Sequence, residues 1–307
     1  MLKYTDLTGR HIDRVQTAID RIRAFCPPEG YYLAFSGGKD SACIKTLADM
    51  AGVKYDAHYN ATTVDPKELV RFIIAEYPDV KIEKPEIPMI KLIPKKLMPP
   101  TRRVRYCCAY YKERASEGRI TMTGTRWAES PNRNNNQGLT TIFGGKRAQP
   151  IAEANNAEYR ETRRGGLVLN YDNDAARRTV ESCYRTNTTL CNPIIDWSDD
   201  DVWDFIRTYS VRYCPLYDEG WPRLGCVGCP MGVPENMKKE FLRWPEIKAI
   251  YLQAFDDMLA ERRKRGKTDA WKTAEDVMRW WIRKSGEKQI EGQTSIFDES
   301  EDETDAE

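Results

Sequence analysis

Six residues with the chemistry of a phosphate-binding loop lie early in the chain, in the order Ser36-Gly37-Gly38-Lys39-Asp40-Ser41. An apolar run precedes them and a helix-like segment follows, which predicts a strand, a tight turn and a helix N-terminus. Glycines let the backbone approach a ligand closely, the first-turn N–H groups lack helical acceptors, and the helix dipole adds partial positive charge. Lys39 adds a full charge, so this segment predicts a site for a phosphate-bearing anion.

Two cysteine pairs have the spacing of metal or cluster ligands. Cys107 and Cys108 are adjacent, and Cys226 and Cys229 form a Cys-x-x-Cys turn, which aims two thiolates at one ion. Adjacent cysteines on a regular backbone point in different directions, so an iron–sulfur cluster accommodates the first pair better than a tetrahedral zinc ion does. A zinc site and unligated buried thiols are the alternatives, and Cys183 is a substitute for one ligand.

Composition narrows the class of protein. The chain has 307 residues, 40% of them hydrophobic, which is enough for a sizeable core. The mean hydropathy is -0.68, no apolar run approaches membrane-spanning length, and the N-terminus lacks the apolar core of a signal peptide. We therefore expect a soluble, cytoplasmic protein with no membrane partner, in which cysteines serve as ligands or reactive thiols rather than disulfides.

Charge is unevenly distributed along the chain. Residues 91–185 contain 19 Lys and Arg against 9 Asp and Glu, which predicts an anionic partner and makes a nucleic-acid substrate one candidate. A merely solvated basic surface is the alternative for each basic run. The runs are Lys95-Lys96, Arg102-Arg103 with Arg105, Lys146-Arg147 and Arg163-Arg164.

Hydrophobic periodicity predicts alternating strands and helices, the pattern of a parallel sheet covered on both faces. Ligands bind beyond the carboxyl ends of such strands, so segments 36–41, 60–65 and 124–133 should converge on one crevice. Residues 134–166 show little periodicity and are predicted to form a long functional loop. The predicted strands are 31–35, 53–59 and 119–123, and the predicted helices are 6–25, 66–77, 175–184, one beginning at 199, a stretch over 238–264 that is interrupted at Pro245, and 274–284.

These motifs together resemble the phosphoadenosine phosphosulfate (PAPS) reductase family of the PP-loop ATP pyrophosphatase superfamily, whose loop has the pattern Ser-Gly-Gly-x-Asp-Ser. The family also includes adenylyl-sulfate reductases and the ATP-dependent sulfurtransferases of DNA phosphorothioation. The matching blocks are residues 36–41, 105–108, 123–130 with Arg133, 192–197, 201–203, 217–220 and 223–226.

The resemblance implies a fold, cofactors and site residues. The fold would be that of the adenine nucleotide alpha hydrolases, with a helical C-terminal extension. Cys107, Cys108, Cys226 and Cys229 would bind a [4Fe-4S] cluster, with Zn²⁺ as the alternative metal. The catalytic residues would be Lys39, Asp40 and Arg126, and Asp40 would also be a ligand of Mg²⁺. The adenine nucleotide, ATP or PAPS, would be bound by Ser36, Gly37, Gly38, Lys39, Asp40, Ser41, Gly124, Arg126, Glu129 and Arg133.

A second block, residues 123–130 with Arg133, would also contact the nucleotide, and we call it the second nucleotide block. Two roles within it stay open. Arginine suits forked contacts with phosphate oxygens, and Glu129 would orient Arg126 or bind a ribose hydroxyl. The alternative is that Arg126 is buried in a structural ion pair.

One departure from the family bears on activity. Sulfonucleotide reductases use a cysteine in a C-terminal Glu-Cys-Gly-Leu/Ile-His segment, and no cysteine follows Cys229 in this sequence. The favoured function is therefore ATP cleavage to AMP and pyrophosphate, which activates a substrate for cluster-assisted sulfur transfer from a sulfur-donor protein. The alternatives are a sulfonucleotide reductase that uses an external, thioredoxin-like thiol, and a non-catalytic nucleotide- and cluster-dependent subunit.

The predicted domains are a PP-loop domain with the cysteine arm (1–235), a helical extension (236–286) and an acidic disordered tail (287–307). Within that tail, Gln293, Ile296 and Phe297 resemble a short peptide that docks to the bacterial sliding clamp. A segment that folds back on its own domain is the alternative.

Overall fold

The computed structural model describes residues 2–5, 7–112, 118–267 and 271–283, which form two compact units. The acidic tail and its clamp-docking residues Gln293, Ile296 and Phe297 lie outside the described residues. The predicted domain bounds stay a prediction. The sheet unit comprises Met1–Ala61, Asp65–Lys84 and Tyr110–Gly225, and the helical unit comprises Thr62–Val64, Pro85–Ala109 and the chain from Cys226 onward.

The described residues of the sheet unit form ten strands. Eight of them form one sheet in the order β5-β4-β3-β6-β10-β7-β9-β8, in which the first five strands are parallel and β7, β9 and β8 pair antiparallel. The strands are β1 (Lys3–Thr5), β2 (His11–Asp13), β3 (Tyr31–Ala34), β4 (Tyr55–Asn60), β5 (Lys81–Glu83), β6 (Ile120–Met122), β7 (Thr140–Ile142), β8 (Arg160–Glu161), β9 (Leu167–Leu169) and β10 (Thr189–Cys191).

Helices flank this sheet and dominate the C-terminal region, so the predicted α/β fold class with a mostly parallel sheet is confirmed. Among the described residues, none of the helices combines the length and the apolar character needed to cross a membrane. The helices are α1 (Arg14–Ala24), α2 (Lys39–Ala51), α3 (Lys67–Glu76), α4 (Met89–Lys96), α5 (Tyr106–Tyr111), α6 (Pro131–Asn136), α7 (Gly145–Ala154), α8 (Asp174–Cys183), α9 (Asp199–Thr208), α10 (Pro234–Arg243), α11 (Pro245–Lys264) and α12 (Ala274–Ile282).

The connection from β3 to α2 lies near the middle of the sheet and forms as predicted. Tyr31 and Leu33 of β3 are fully buried, and Gly52, with φ of 67°, ends α2 in the left-handed conformation. Gly37 has φ of +73°, and a Cβ there would lie 2.7 Å from Cδ1 of both Leu69 and Ile73. Only glycine fits this turn, so the tight approach of the loop to α3 depends on Gly37.

Two predictions of secondary structure are wrong. The N-terminal helix begins at Arg14 rather than near residue 6, because Asp13 caps it by accepting hydrogen bonds from the N–H groups of Val15 and Gln16. Residues 134–166 are not a long loop, since they contain β7, α7 and β8. The strands there are only two or three residues long and pair with neighbours distant in sequence, so they leave little periodicity to detect.

The helical unit has its own aromatic core. The rings of Phe241, Tyr251, Phe255 and Trp281 pack against one another with centroids 4.7–6.1 Å apart. The indole N–H of Trp281 donates to the carbonyl of Pro100 at 2.6 Å. These contacts join α10, α11 and α12 to the segment that leads into Cys107 and Cys108.

Candidate functional site

The phosphate-binding loop is held in shape by its own polar groups. Ser41 Oγ donates to the carbonyl of Gly38 at 2.8 Å, and the Gly38 N–H donates to Ser36 Oγ at 3.4 Å. Gly38 is the N-cap of α2 and supplies no side-chain cap. The first turn of α2 therefore has N–H groups available for an acceptor other than its own cap.

One such acceptor is the phenol of Tyr217, to whose oxygen the backbone N–H of Lys39 donates at 2.9 Å. The ring of Tyr217 packs edge-on against Trp203, with centroids 5.4 Å apart. Burial raises the pKa of Tyr217, so the phenol stays protonated and keeps a hydrogen to donate. Tyr217 lies in the block 217–220 that carries the family resemblance, but its type and position in the sequence indicate no role at the loop.

Four charged groups meet beside the loop. Asp40 accepts from Arg126 Nε at 2.7 Å, and Asp199 accepts from Arg126 Nη2 at 2.8 Å. The ammonium of Lys39 lies 3.5 Å from Asp40 and 3.3 Å from Asp199. Two cations and two carboxylates thus form one neutral cluster at the N-terminal end of α2.

Arg126 is the buried member of this cluster. Its side chain is 2% exposed, and Nη1 donates to the carbonyl of Trp197 at 3.2 Å, so each guanidinium nitrogen has an acceptor within the sheet unit. Burial opposes the charge, but Asp40 and Asp199 outweigh it and raise the pKa of Arg126 above its usual value. These contacts correspond to the structural ion pair that the sequence left open.

The second nucleotide block lies against the loop. A Cβ on Gly124 would come within 2.8 Å of the Asp40 backbone, so this glycine allows close packing of the two segments. Glu129 accepts from the backbone N–H of Arg126 at 3.0 Å, and its carboxylate lies 3.2 Å from Arg133. The structure therefore brings this block together with Asp40, and Glu129 orients the backbone of Arg126 rather than its guanidinium.

The four predicted ligand cysteines all belong to the helical unit. Cys107 shares a hydrogen bond with Cys108 and lies within electrostatic range of Cys226 and Cys229. That hydrogen bond, burial and the neighbouring thiols raise the pKa of Cys107. Across the described ranges, however, no group of three or more Cys, His, Asp or Glu side chains has metal-binding geometry.

Cys183, the substitute ligand, lies at the C-terminal end of α8 in the sheet unit. It is fully buried, and burial alone raises its pKa. This environment is typical of a small core residue.

Comparison with known proteins identifies the family. A family model described as the phosphoadenosine phosphosulfate reductase domain matches residues 30–231. The adenosine 5′-phosphosulfate reductase of Allochromatium vinosum is 39% identical over 61 residues, which are 19% of this chain and 24% of that protein. An uncharacterized 37.8 kDa protein of Escherichia phage 186 is 28% identical over 99 residues, 32% of this chain and 28% of the relative.

These alignments span about a quarter of each of those two curated relatives. Among solved structures, PAPS reductase from Candida auris in a phosphate complex superposes with a TM-score of 0.41 at 16% identity. That alignment covers 68% of this chain and 88% of the other.

Proposed function

Because the chain belongs to the phosphoadenosine phosphosulfate reductase domain family, we propose that its sheet unit binds ATP and cleaves it to AMP and pyrophosphate. The cleavage would activate an acceptor for sulfur transfer. The observation that carries this proposal is the geometry at the start of α2, where a glycine turn, open first-turn N–H groups and Lys39 coincide.

The proposed reaction needs little covalent chemistry from the protein. An acceptor oxygen attacks the α-phosphorus of ATP, the bond to the bridging oxygen breaks, and the electron pair leaves with pyrophosphate. Lys39, the N–H groups of α2 and the hydroxyl of Tyr217 stabilise the charge that develops on the leaving group. Asp40 is the carboxylate that would hold a Mg²⁺ ion bound to the triphosphate, and that ion would offset the negative charge of the phosphates.

Sulfur transfer would follow on the adenylated acceptor. A sulfur nucleophile from a donor protein attacks the activated carbon and displaces AMP, which leaves with the former acceptor oxygen. The remaining nucleotide contacts are assigned to Ser36, Ser41 and the block of Gly124, Glu129 and Arg133. Arg126 takes part by positioning Asp40.

The chemistry of the thiol set in the helical unit fits an iron–sulfur cluster. Cys107, Cys108, Cys226 and Cys229 are four soft donors on one unit, and Cys107 interacts with the other three. We propose that they hold a [4Fe-4S] cluster, which would supply electron or sulfur transfer. The left-handed Gly228, with φ of +69°, lets the Cys-x-x-Cys segment turn tightly.

The second candidate is a sulfonucleotide reductase that acts on PAPS or adenylyl sulfate with a thioredoxin-like thiol. Family membership and the name of the Allochromatium vinosum relative favour it. The sequence after Cys229 supplies no cysteine for that reaction, so the thiol would come from another protein.

A product assay separates the two candidates. Anaerobic protein is incubated either with ATP, nucleic acid as the acceptor and inorganic sulfide as the sulfur source, or with PAPS and thioredoxin, and products are resolved by chromatography. Pyrophosphate and AMP from ATP support the first function, whereas sulfite and adenosine bisphosphate from PAPS support the second.

Lys39→Ala should lower the rate of product formation about 100-fold, because an ammonium that stabilises the leaving group is lost. Lys81→Ala is the control, since Lys81 is an exposed lysine of the same unit in β5. Equal rates for Lys39→Ala and the wild type would contradict a phosphate site at this loop.

We propose nucleic acid as the acceptor class on the basis of charge. The pairing of Ile142 with Leu167 brings the start of α7, with Lys146-Arg147, to the same end of the sheet as the β8–β9 turn, with Arg163-Arg164. These four basic residues are exposed. Because β7 runs antiparallel to β10, which is parallel to β6 and β3, this end of the sheet is opposite to the end at which the phosphate loop lies. The four basic residues would therefore anchor a long polyanion rather than contact the reacting atoms.

Replacing Arg163 and Arg164 by Ala should weaken binding of a labelled DNA duplex and lower the slope of log affinity against log salt by about 2, one per lost phosphate contact. Fluorescence anisotropy at several salt concentrations measures both quantities. The Lys238→Ala/Lys239→Ala variant removes two exposed charges from the helical unit and should leave the slope unchanged. A slope that falls equally in both variants would show only general electrostatic attraction.

A further inference from the structure

Asp199 stands out among the charged groups beside the loop because it is the exposed one. Its side chain is 65% exposed, whereas that of its partner Arg126 is 2% exposed. One oxygen, Oδ1, contacts both Arg126 Nη2 at 2.8 Å and Lys39 Nζ at 3.3 Å. A carboxylate that bridges an ammonium and a guanidinium makes the contacts that a phosphate oxygen makes at such a site.

The position of Arg126 does not depend on Asp199. Asp40 holds its Nε, and the carbonyl of Trp197 accepts from Nη1. Asp40 is itself fixed, because its backbone lies under Gly124. Asp199 follows the N-cap Ser198 at the start of α9, where a change of side-chain rotamer takes the carboxylate into solvent.

We infer that Asp199 is an internal competitor for the phosphate group, occupying Lys39 and Arg126 until a more highly charged anion displaces it. This inference rests on the proposed phosphate site. Displacement favours ligands with several negative charges, such as a di- or triphosphate, over a monophosphate, because only strong Coulomb attraction outweighs the lost carboxylate contacts. Asp199 would thereby help the site to select ATP and release AMP.

The test compares two neighbouring carboxylates by calorimetric titration with inorganic pyrophosphate in metal-free buffer. Asp199→Asn should bind pyrophosphate about 3- to 10-fold more tightly than the wild type, since a partly screened competing charge is removed. Asp200→Asn removes the same charge from the same exposed helical turn, without a bridging contact to Lys39, and should change the affinity less than 2-fold. Thermal unfolding of each variant shows that the fold is retained.

The outcomes distinguish this inference from the function on which it rests. Equal or weaker binding by Asp199→Asn, with a wild type that binds pyrophosphate, overturns the competitor role and leaves the phosphate site standing. An equal gain in both variants also overturns it, because the effect is then general electrostatics. If neither wild type nor Asp199→Asn binds pyrophosphate, the phosphate site itself fails and the competitor role fails with it.

Discussion

Arg126→Ala is expected to lower the free energy of unfolding by about 3–5 kcal/mol, because it leaves the carboxylate of Asp40 without its buried partner. The lost guanidinium also removes the contacts to Asp199 and to the carbonyl of Trp197. Urea unfolding followed by circular dichroism measures the change.

Arg133→Ala is the matched control, since Arg133 belongs to the same block but is 36% exposed and pairs with Glu129 at 3.2 Å. Such a surface pair contributes about 0–1 kcal/mol. Similar losses in the two variants would contradict the view that Arg126 anchors the site. Arg126→Lys should recover part of the stability, because an ammonium keeps the charge, but its donors lie on one nitrogen that cannot reach all the acceptors arranged around the guanidinium.

The same comparison distinguishes anchoring from catalysis. Among the described residues, Lys39 has two ion contacts, at 3.3 and 3.5 Å, so its removal should affect turnover far more than stability. Arg126→Ala should affect both, because Asp40 loses its position together with its partner. We therefore propose that Arg126, which the family pattern suggests as catalytic, also acts by holding Asp40 in position.

Local sequence was sufficient to predict the loop. A buried strand, two glycines and the start of a helix lie within a few residues of each other, and their propensities agree. The sequence could not distinguish whether Arg126 contacts phosphate or lies in a buried ion pair, because its partner Asp40 is 86 residues away along the chain. The burial of Arg126 favours the ion pair, and burial depends on the whole fold.

The contact from Tyr217 to the loop was missed for a similar reason. The tyrosine lies 178 residues from Lys39, and a tyrosine beside Pro215 and Leu216 in a short turn has no pattern typical of a helix cap. The sequence places Asp199 only at the start of a predicted helix, which is an ordinary position for an acidic residue. Its bridging position requires α9 to lie against α2, which only tertiary packing determines.

The cysteine pairs were recognisable from spacing, and the structure places both in one unit although the chain between them passes through the sheet unit. Their identity as ligands stays a proposal. The four cysteines belong to one unit, and as thiolates they would repel one another. A polynuclear metal cluster would compensate that negative charge, so the four thiols are suitable ligands for one.

Anaerobically purified protein is expected to carry about four iron atoms per chain, with the broad absorption of an iron–sulfur cluster. Cys226→Ser should reduce the iron to below about one atom per chain and abolish that absorption, because a loop that loses one of four thiolates holds the cluster poorly. Iron analysis and visible spectroscopy measure this directly.

Cys26→Ser is the control for loss of a thiol in general, since Cys26 is partly exposed, lies in the sheet unit and donates its thiol hydrogen to the neighbouring carbonyl of Pro27. It should retain the full iron content. Cys183→Ala tests the substitute ligand: if Cys183 lies in the core as its burial indicates, the iron content stays unchanged while stability falls. Colourless protein with one zinc ion and undiminished activity would instead assign the four cysteines a structural role, because zinc supplies no redox chemistry.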